Sequence, residues 1–400
     1  MSPGRLPHLR SHWDLAYRTG RFANLQEFHL TTHRSIIEAL ADASASGESA
    51  VLATVVRISG SSYGGVGTRM VVRDNGATVG LVSGGCLESD LADHAREVKR
   101  TRTPKVVTYD TRGDEDAVWG LGLGCNGLID VLIEPLDPEE ARDVATLLGH
   151  ALSGDAPSVL ATVIRTSDGA TDTPSVGAHA LITRDGIEAT GDWGSGAALD
   201  EVASHAEEAR AAGRNGLALE LTAAEAAFEV VNPSVTLLIC GSGPDVVPFV
   251  RFATQLGWDV TVMDHRPVAH TGSERFPGAT VVECADPSRL AEVINLTPHT
   301  AAVVMSHHFE RDAGYVEALV ATPVAYIGVL GPRARTERMM GELTKRGSSA
   351  PTDKRIFGPV GLDVGGDGPE AIAVSIITEV SAVTSGRSGG HLRDRSAPLH

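Results

Sequence analysis

The chain has 400 residues, 42% of them hydrophobic and 21% charged, an ordinary globular composition with enough length for two or three domains. Its 51 acidic residues outnumber 34 lysines and arginines, and the formal charge of -17 argues against general binding to nucleic-acid phosphates or anionic membranes. The N-terminus is polar and broken by Pro3 and Pro7, no apolar run is long enough to span a bilayer, and the four cysteines form no Cys-x-x-Cys pair. The expectation is a cytosolic protein with free thiols at Cys86, Cys125, Cys240 and Cys284.

Residues 1–30 and 386–400 lack apolar periodicity and read as tails. Residues 31–233 read as one α/β domain with an internal repeat, its copies at about 49–137 and 157–233. "SAVLATVVR" at 49–57 returns as "PSVLATVIR" at 157–165, and "VGTRMVVRDNG" at 66–76 returns as "VGAHALITRDG" at 176–186. Each copy reads as strand, Gly/Ser-rich loop, strand, turn, short strand, a helix from near Glu88 or Asp200, and a closing strand. At an offset of 111, Gly80 meets Gly191 and His94 meets His205, but Cys86 meets Ala197 and Glu88 meets Leu199. The scaffold alone therefore does not demand the cysteine.

Cys86 ends the run Ser83-Gly84-Gly85-Cys86 between an apolar strand and that helix. Unpaired amides at a helix N-terminus stabilise a thiolate, which serves as nucleophile, persulfide carrier or metal ligand, and the glycines allow close approach of a ligand. Glu88 and Asp90 work against thiolate formation, and a small structural cysteine beneath a tight turn is the competing reading. Cys125 lies in a second Gly-rich stretch, "GLGLGCNG". The loop "GSSYGGVGTRM" at 60–70 has the makings of a wrap for a phosphate or polar ring, with Arg69 supplying charge, although a flexible hairpin explains its glycines nearly as well.

From 234 to 385 the pattern becomes alternating β/α, the order of a Rossmann-like doubly wound parallel sheet closed by a helix near 368–380. Gly241 and Gly243 follow the first strand, and Asp264 ends the next, the spacing of a dinucleotide site. Val246 replaces the third glycine, however, and Pro244 removes a backbone donor. His307, His308 and Asp312 fall at the carboxyl end of the fourth strand, as acid/base or ligand candidates; continuation of the strand would point the two histidines opposite ways. Arg333 and Arg335 start a helix, where an anion clamp and a solvated surface are equally good readings.

Taken together, "SGGCLE", "GLGCNGLIDVLIEP", "LLICGSGPDV", "VTVMDHRP", "VVMSHHFERD", "YIGVLGPRAR" and the segment 355–380 resemble the XdhC/CoxI family of xanthine dehydrogenase accessory factors, over about residues 35–385. The resemblance implies a chaperone more than a catalyst. Such a protein binds molybdenum cofactor, as molybdopterin or its dinucleotide form, assists its sulfuration, and hands it to an apo molybdenum hydroxylase of the xanthine dehydrogenase or CO dehydrogenase type. A cysteine desulfurase is the implied sulfur-supplying partner, and fold analogy suggests a homodimer. Carried over by motif, Cys86 is the metal ligand, with Ser83, Gly84, Gly85, Glu88, Arg69, Cys125, Gly241, Gly243, Asp264, His307 and Asp312 about the cofactor. Two departures stand out: Asn126 interrupts the family's Cys-Gly-Gly, and Pro244 stands where a histidine is frequent. The alternative is an NAD(P)-dependent oxidoreductase, with Asp264 on the ribose and His307 moving a proton.

Overall fold

A computed structural model of the chain describes residues 33–60, 62–110, 127–167, 173–212, 217–268 and 272–395; the expected N-terminal tail and Cys125 lie outside them. The first copy forms β1 (Ala50–Gly60), β2 (Arg69–Arg73), β3 (Thr78–Gly80), α2 (Glu88–Thr101), β4 (Lys105–Asp110) and β5 (Gly127–Leu136), preceded by α1 (His33–Ala45). The second repeats the plan as β6 (Ser158–Thr166), β7 (His179–Ile182), β8 (Ile187–Thr190), α4 (Ala197–Ala212), β9 (Leu217–Glu220) and β10 (Ala224–Val231), preceded by α3 (Pro138–Ser153). Their antiparallel sheets have the same order, β3-β2-β1-β5-β4 and β8-β7-β6-β10-β9. Each copy thus closes with two strands where the sequence suggests one. The extra edge strand β4 has no fully buried residue and no strict alternation of partly buried and exposed positions, so its apolar signal is weak.

Strand alternation dictates the layers. Val51, Ala53 and Val55 face α2 through Leu91, Ala95 and Val98, while Leu52 turns the other way into a core shared by α1, α3 and the second sheet's Leu160 and Leu181. Helix α3 starts sharply because Asp137 accepts from the amides of Glu139 and Glu140, and Glu140 reaches back to the Asp137 amide.

A buried ion pair and a buried hydrogen bond join the copies reciprocally. Arg69 of β2 pairs through both guanidinium nitrogens with Glu229 of β10, Nη1 to Oε1 at 3.2 Å, and also donates to the Gly67 carbonyl. At the equivalent place in the other copy, His179 of β7 bonds Glu134 of β5, Nε2 to Oε2 at 3.1 Å. Gly67 and Gly177 are needed there: a Cβ on either would lie within 3 Å of the Glu229 or Glu134 carboxylate. Val56, Leu132, Ile164 and Ala227, two residues from each copy, pack together as a small shared core.

The remainder is a six-stranded parallel sheet, β11 (Thr236–Cys240), β12 (Asp259–Asp264), β13 (Thr280–Glu283), β14 (Thr300–Val304), β15 (Tyr326–Val329) and β16 (Ile356–Phe357), in the order β13-β12-β11-β14-β15-β16. Helices α5 (Val246–Gln255) and α8 (Pro369–Thr384) cover one face, and α6 (Phe309–Val320) and α7 (Arg333–Lys345) the other. This is the doubly wound arrangement, with its switch point between β11 and β14. The segment 355–380 braces it: Arg355 donates to the carbonyls of Val320, Thr322 and Val324, and the buried Glu379 accepts from the Gly361 amide and the Tyr326 hydroxyl. The His299 ring nitrogen Nε2, 2.9 Å from the Asp155 carbonyl, links this unit to the repeat half.

Removing one partner of a buried ion pair strands the other charge. Arg69→Ala is therefore expected to cost about 3–5 kcal/mol, read as a lowered midpoint in chemical denaturation followed by circular dichroism. An unchanged midpoint would show that the pair does not hold the copies together.

Candidate functional site

The turn bearing Cys86 is tied down at both ends and open at its crest. Val82 and Leu87 are buried in the α2 core, whereas Gly84, Gly85 and Cys86 are exposed. Glu88 accepts from the Val82 and Ser83 amides at 2.9 and 2.8 Å and from the Ser83 hydroxyl at 2.7 Å. The same hydroxyl accepts from the amides of Cys86 and Leu87, at 3.0 and 2.7 Å, and so closes the turn that leads into the helix. Partial burial works to raise the Glu88 pKa, but the hydrogen bonds from Ser83 and Val82 outweigh it and hold the carboxyl below its ordinary range. Ser83 and Glu88 are thus spent on shaping the turn. Gly84 and Gly85 take φ of 77° and 112°, backbone that other residues adopt only under strain, and their amides have no partner among the described residues.

The second copy makes the corresponding turn differently. Gly194, Ala197 and Leu199 replace Ser83, Cys86 and Glu88, and Trp193 fills the space from below, its indole N–H directed at the Thr190 and His179 carbonyls. Trp193 is thus the larger counterpart of the buried Val82, and the second copy has no polar side chain at the places of Ser83, Cys86 and Glu88.

The loop from β1 to β2 approaches the Cys86 turn through Tyr63, whose ring lies against Gly84. Gly60 at the end of β1 pairs with Gly127 at the start of β5, so the strand ends flanking residues 111–126 lie at the same sheet edge as this loop. Cys125 itself is outside the described residues. Arg69 does not supply charge to the loop as expected: it is 3% exposed and committed to Glu229 and Gly67. Among the described residues no group of three or more His, Cys, Asp or Glu side chains is placed to hold a metal ion.

At the carboxyl edge of the parallel sheet the expected residues do converge, but on one another. Gly241 has φ 135°, and a Cβ there would meet the Met305 carbonyl at 2.6 Å. Asp264 accepts from the Arg266 amide and Nε, both at 2.9 Å, and from the Ser242 hydroxyl. Burial pushes its carboxyl up, yet Arg266 and Ser242 override this and hold the pKa well below the carboxylate range. Both oxygens that a ribose would need are already engaged. Strand β14 stops at Val304, so His307 and His308 do not alternate along a strand. His307 adopts φ 62° and bonds Asp245, Nε2 to Oδ2 at 2.8 Å, beside Gly243. Asp312, fully buried, accepts from Ser306 and from Arg335 at 2.7 Å, so Arg335 braces the sheet edge and is no free anion clamp. Sequence spacing gives no role to Ser242, Asp245 or Arg266; the one local signal is the Arg two places after the strand-ending Asp.

The comparisons with known proteins agree with one another. The chain matches the XdhC and CoxI family over residues 43–110 and the XdhC Rossmann domain over residues 237–380. It is 32% identical over 339 residues to a Bacillus subtilis protein named as a probable xanthine dehydrogenase subunit, covering 83% of this chain and 92% of that one. The molybdenum cofactor insertion chaperone PaoD of Escherichia coli is 25% identical over 360 residues, 90% of this chain and 91% of that one. A crystal structure described as a xanthine dehydrogenase from Bacillus halodurans superposes with a TM-score of 0.71 at 29% identity, covering 91% of this chain and 98% of that one.

Glu88→Gln removes the charge that holds the turn. The Val82 and Ser83 amides should then exchange hydrogen roughly tenfold faster at neutral pH. Because the Glu88 pKa is lowered in the fold, its stabilisation is present above the ordinary carboxylate range and is lost as pH falls through the lowered value. The difference between variant and wild type should accordingly close in acid, and equal exchange at neutral pH would show that the lock is not energetic.

Proposed function

Because the chain belongs to the XdhC and CoxI family, we propose that it is an accessory protein of xanthine dehydrogenase-type enzymes that holds molybdenum cofactor, as molybdopterin or its dinucleotide form, at Cys86 and delivers it to the apo-hydroxylase. The observation that carries this reading is the exposed cysteine at the crest of a turn whose polar side chains, Ser83 and Glu88, are satisfied within the turn itself. Such a turn presents the sulfur without needing the sulfur for its own stability. The chaperone named among its relatives supports the same direction.

The chemistry of the residues fits the group. A thiolate is a soft donor, suited to molybdenum or to carrying a transferable sulfur. When bound, the cofactor supplies the metal centre that the recipient enzyme uses. The chain contributes one sulfur ligand at Cys86 and, at Gly85, an amide without a partner among the described residues on a backbone open to close approach. A single exposed ligand is a hold that a recipient enzyme is able to compete away, as delivery requires. Sulfuration with a cysteine desulfurase as donor, homodimeric assembly and a cytosolic location belong to the same reading, and no helix among the described residues is long and apolar enough to cross a membrane. Gly241, Gly243, Asp264, His307 and Asp312 enter it as the frame of the Rossmann edge; a nucleotide there would have to displace Arg266 from Asp264.

The test is anaerobic purification from a host that makes the cofactor, followed by metal analysis and oxidative release of fluorescent pterin. Wild type is expected to hold molybdenum and pterin near one per chain, and Cys86→Ala to lose most of both with an unchanged circular dichroism spectrum. Equal retention by the two proteins would remove Cys86 from the site, and empty wild type would overturn the carrier reading.

A further inference from the structure

Tyr63 is 65% exposed and is the sole aromatic residue among the strongly exposed large apolar side chains of the described residues. An isolated exposed ring on a surface is unremarkable. This one is placed by its neighbours. Its loop is closed by two side-chain hydrogen bonds, Ser62 to the Gly64 carbonyl at 2.6 Å and Thr68 to the Gly65 carbonyl at 2.7 Å. The return of the loop at Gly67 is held under the Arg69–Glu229 pair. The ring rests on the Cys86 turn, where a Cβ at Gly84 would come within 3.1 Å of Cδ2 and Cε2. Over the neighbouring Gly85 the space is open, with nothing within 4 Å of a Cβ. The open Gly85 and the exposed Cys86 follow Gly84 directly in the chain, so the ring is two residues along the turn from the thiol-bearing residue.

The repeat supplies an independent control. Gly67 and Gly177 occupy equivalent places, each amide bonding the first strand of its own copy at Val55 or Val163. Counting back from them, Tyr63 corresponds to Thr173. The copy that lacks the thiol thus also lacks the aromatic, while both copies keep the glycine that the sheet interface requires. Scaffold needs account for Gly67 and Gly177 and leave Tyr63 and Cys86 unexplained together.

The geometry points to Tyr63 as a stacking platform for a planar heteroaromatic ring, the pterin of the cofactor, beside the sulfur that takes the metal. This inference rests on the carrier reading and adds a second, metal-independent hold: Tyr63 grips the organic ring and Cys86 the metal. Stacking on an aromatic side chain tolerates loss of the hydroxyl but not of the ring.

Anaerobic equilibrium binding to full-length protein, read as fluorescent pterin retained on ultrafiltration, separates the two holds with two probes, metal-free molybdopterin and molybdenum cofactor. Tyr63→Ala is expected to weaken both probes roughly tenfold, and Tyr63→Phe to restore binding to near wild type. Cys86→Ala is expected to weaken only the metal-loaded probe. Because Tyr63 is exposed, the variants should keep the wild-type denaturation midpoint. Wild-type affinity in Tyr63→Ala alongside a loss in Cys86→Ala would overturn the platform and leave the carrier reading standing. Absence of binding of either probe to wild type would overturn both.

Discussion

A carboxylate buried between two sheets must find a partner in place, and that requirement organises the N-terminal half. Glu229 meets Arg69 and Glu134 meets His179, each acid from one copy and each base from the other. An isolated charge would be strongly unfavourable in the interior; partnered as they are, the two carboxylates fix how the copies face each other. Their reach extends to the surface. The Glu229 carboxylate crowds Gly67, Arg69 holds the Gly67 carbonyl, and Gly67 ends the loop that carries Tyr63 to the Cys86 turn.

Duplication gives this protein two equivalent edges, and only one is equipped for chemistry. The second copy sets the larger buried Trp193 where the first has Val82 and lacks the Ser83–Glu88 pair, which in the first copy bonds itself and the amides of Val82, Ser83, Cys86 and Leu87. A buried indole packs beneath a turn but exposes no reactive group. The hydrogen-bonded lock stabilises it from beneath and frees its crest for an exposed sulfur. In this comparison Ser83 and Glu88 shape the site that Cys86 occupies.

The parallel sheet shows how a familiar spacing acquires a different meaning. Asp264 stands where a ribose would bind, yet Arg266 and Ser242 hold its carboxylate. His307 leans on Asp245, and Asp312 is locked by Ser306 and Arg335. Charged groups at the carboxyl edge of such a sheet mark ligand sites in many proteins. Here they form a satisfied network that braces the strand ends.

Local features are legible in the chain itself. The repeat, the β/α alternation and the Cys86 turn depend on apolar periodicity, on glycines with positive φ and on hydrogen bonds between residues a few places apart, all written in contiguous sequence. The edge strands β4 and β9 are not, because a half-exposed strand of four to six residues has little periodicity to show. Nor does the role of Arg69 show: its partner lies 160 residues away, and nothing near it announces Glu229. Which turn carries the thiol and which sheet is parallel follow from the order of residues alone. Which charged groups are spent on one another is settled only in three dimensions, because a buried charge takes its partner from packing across the fold and not from its neighbours along the chain.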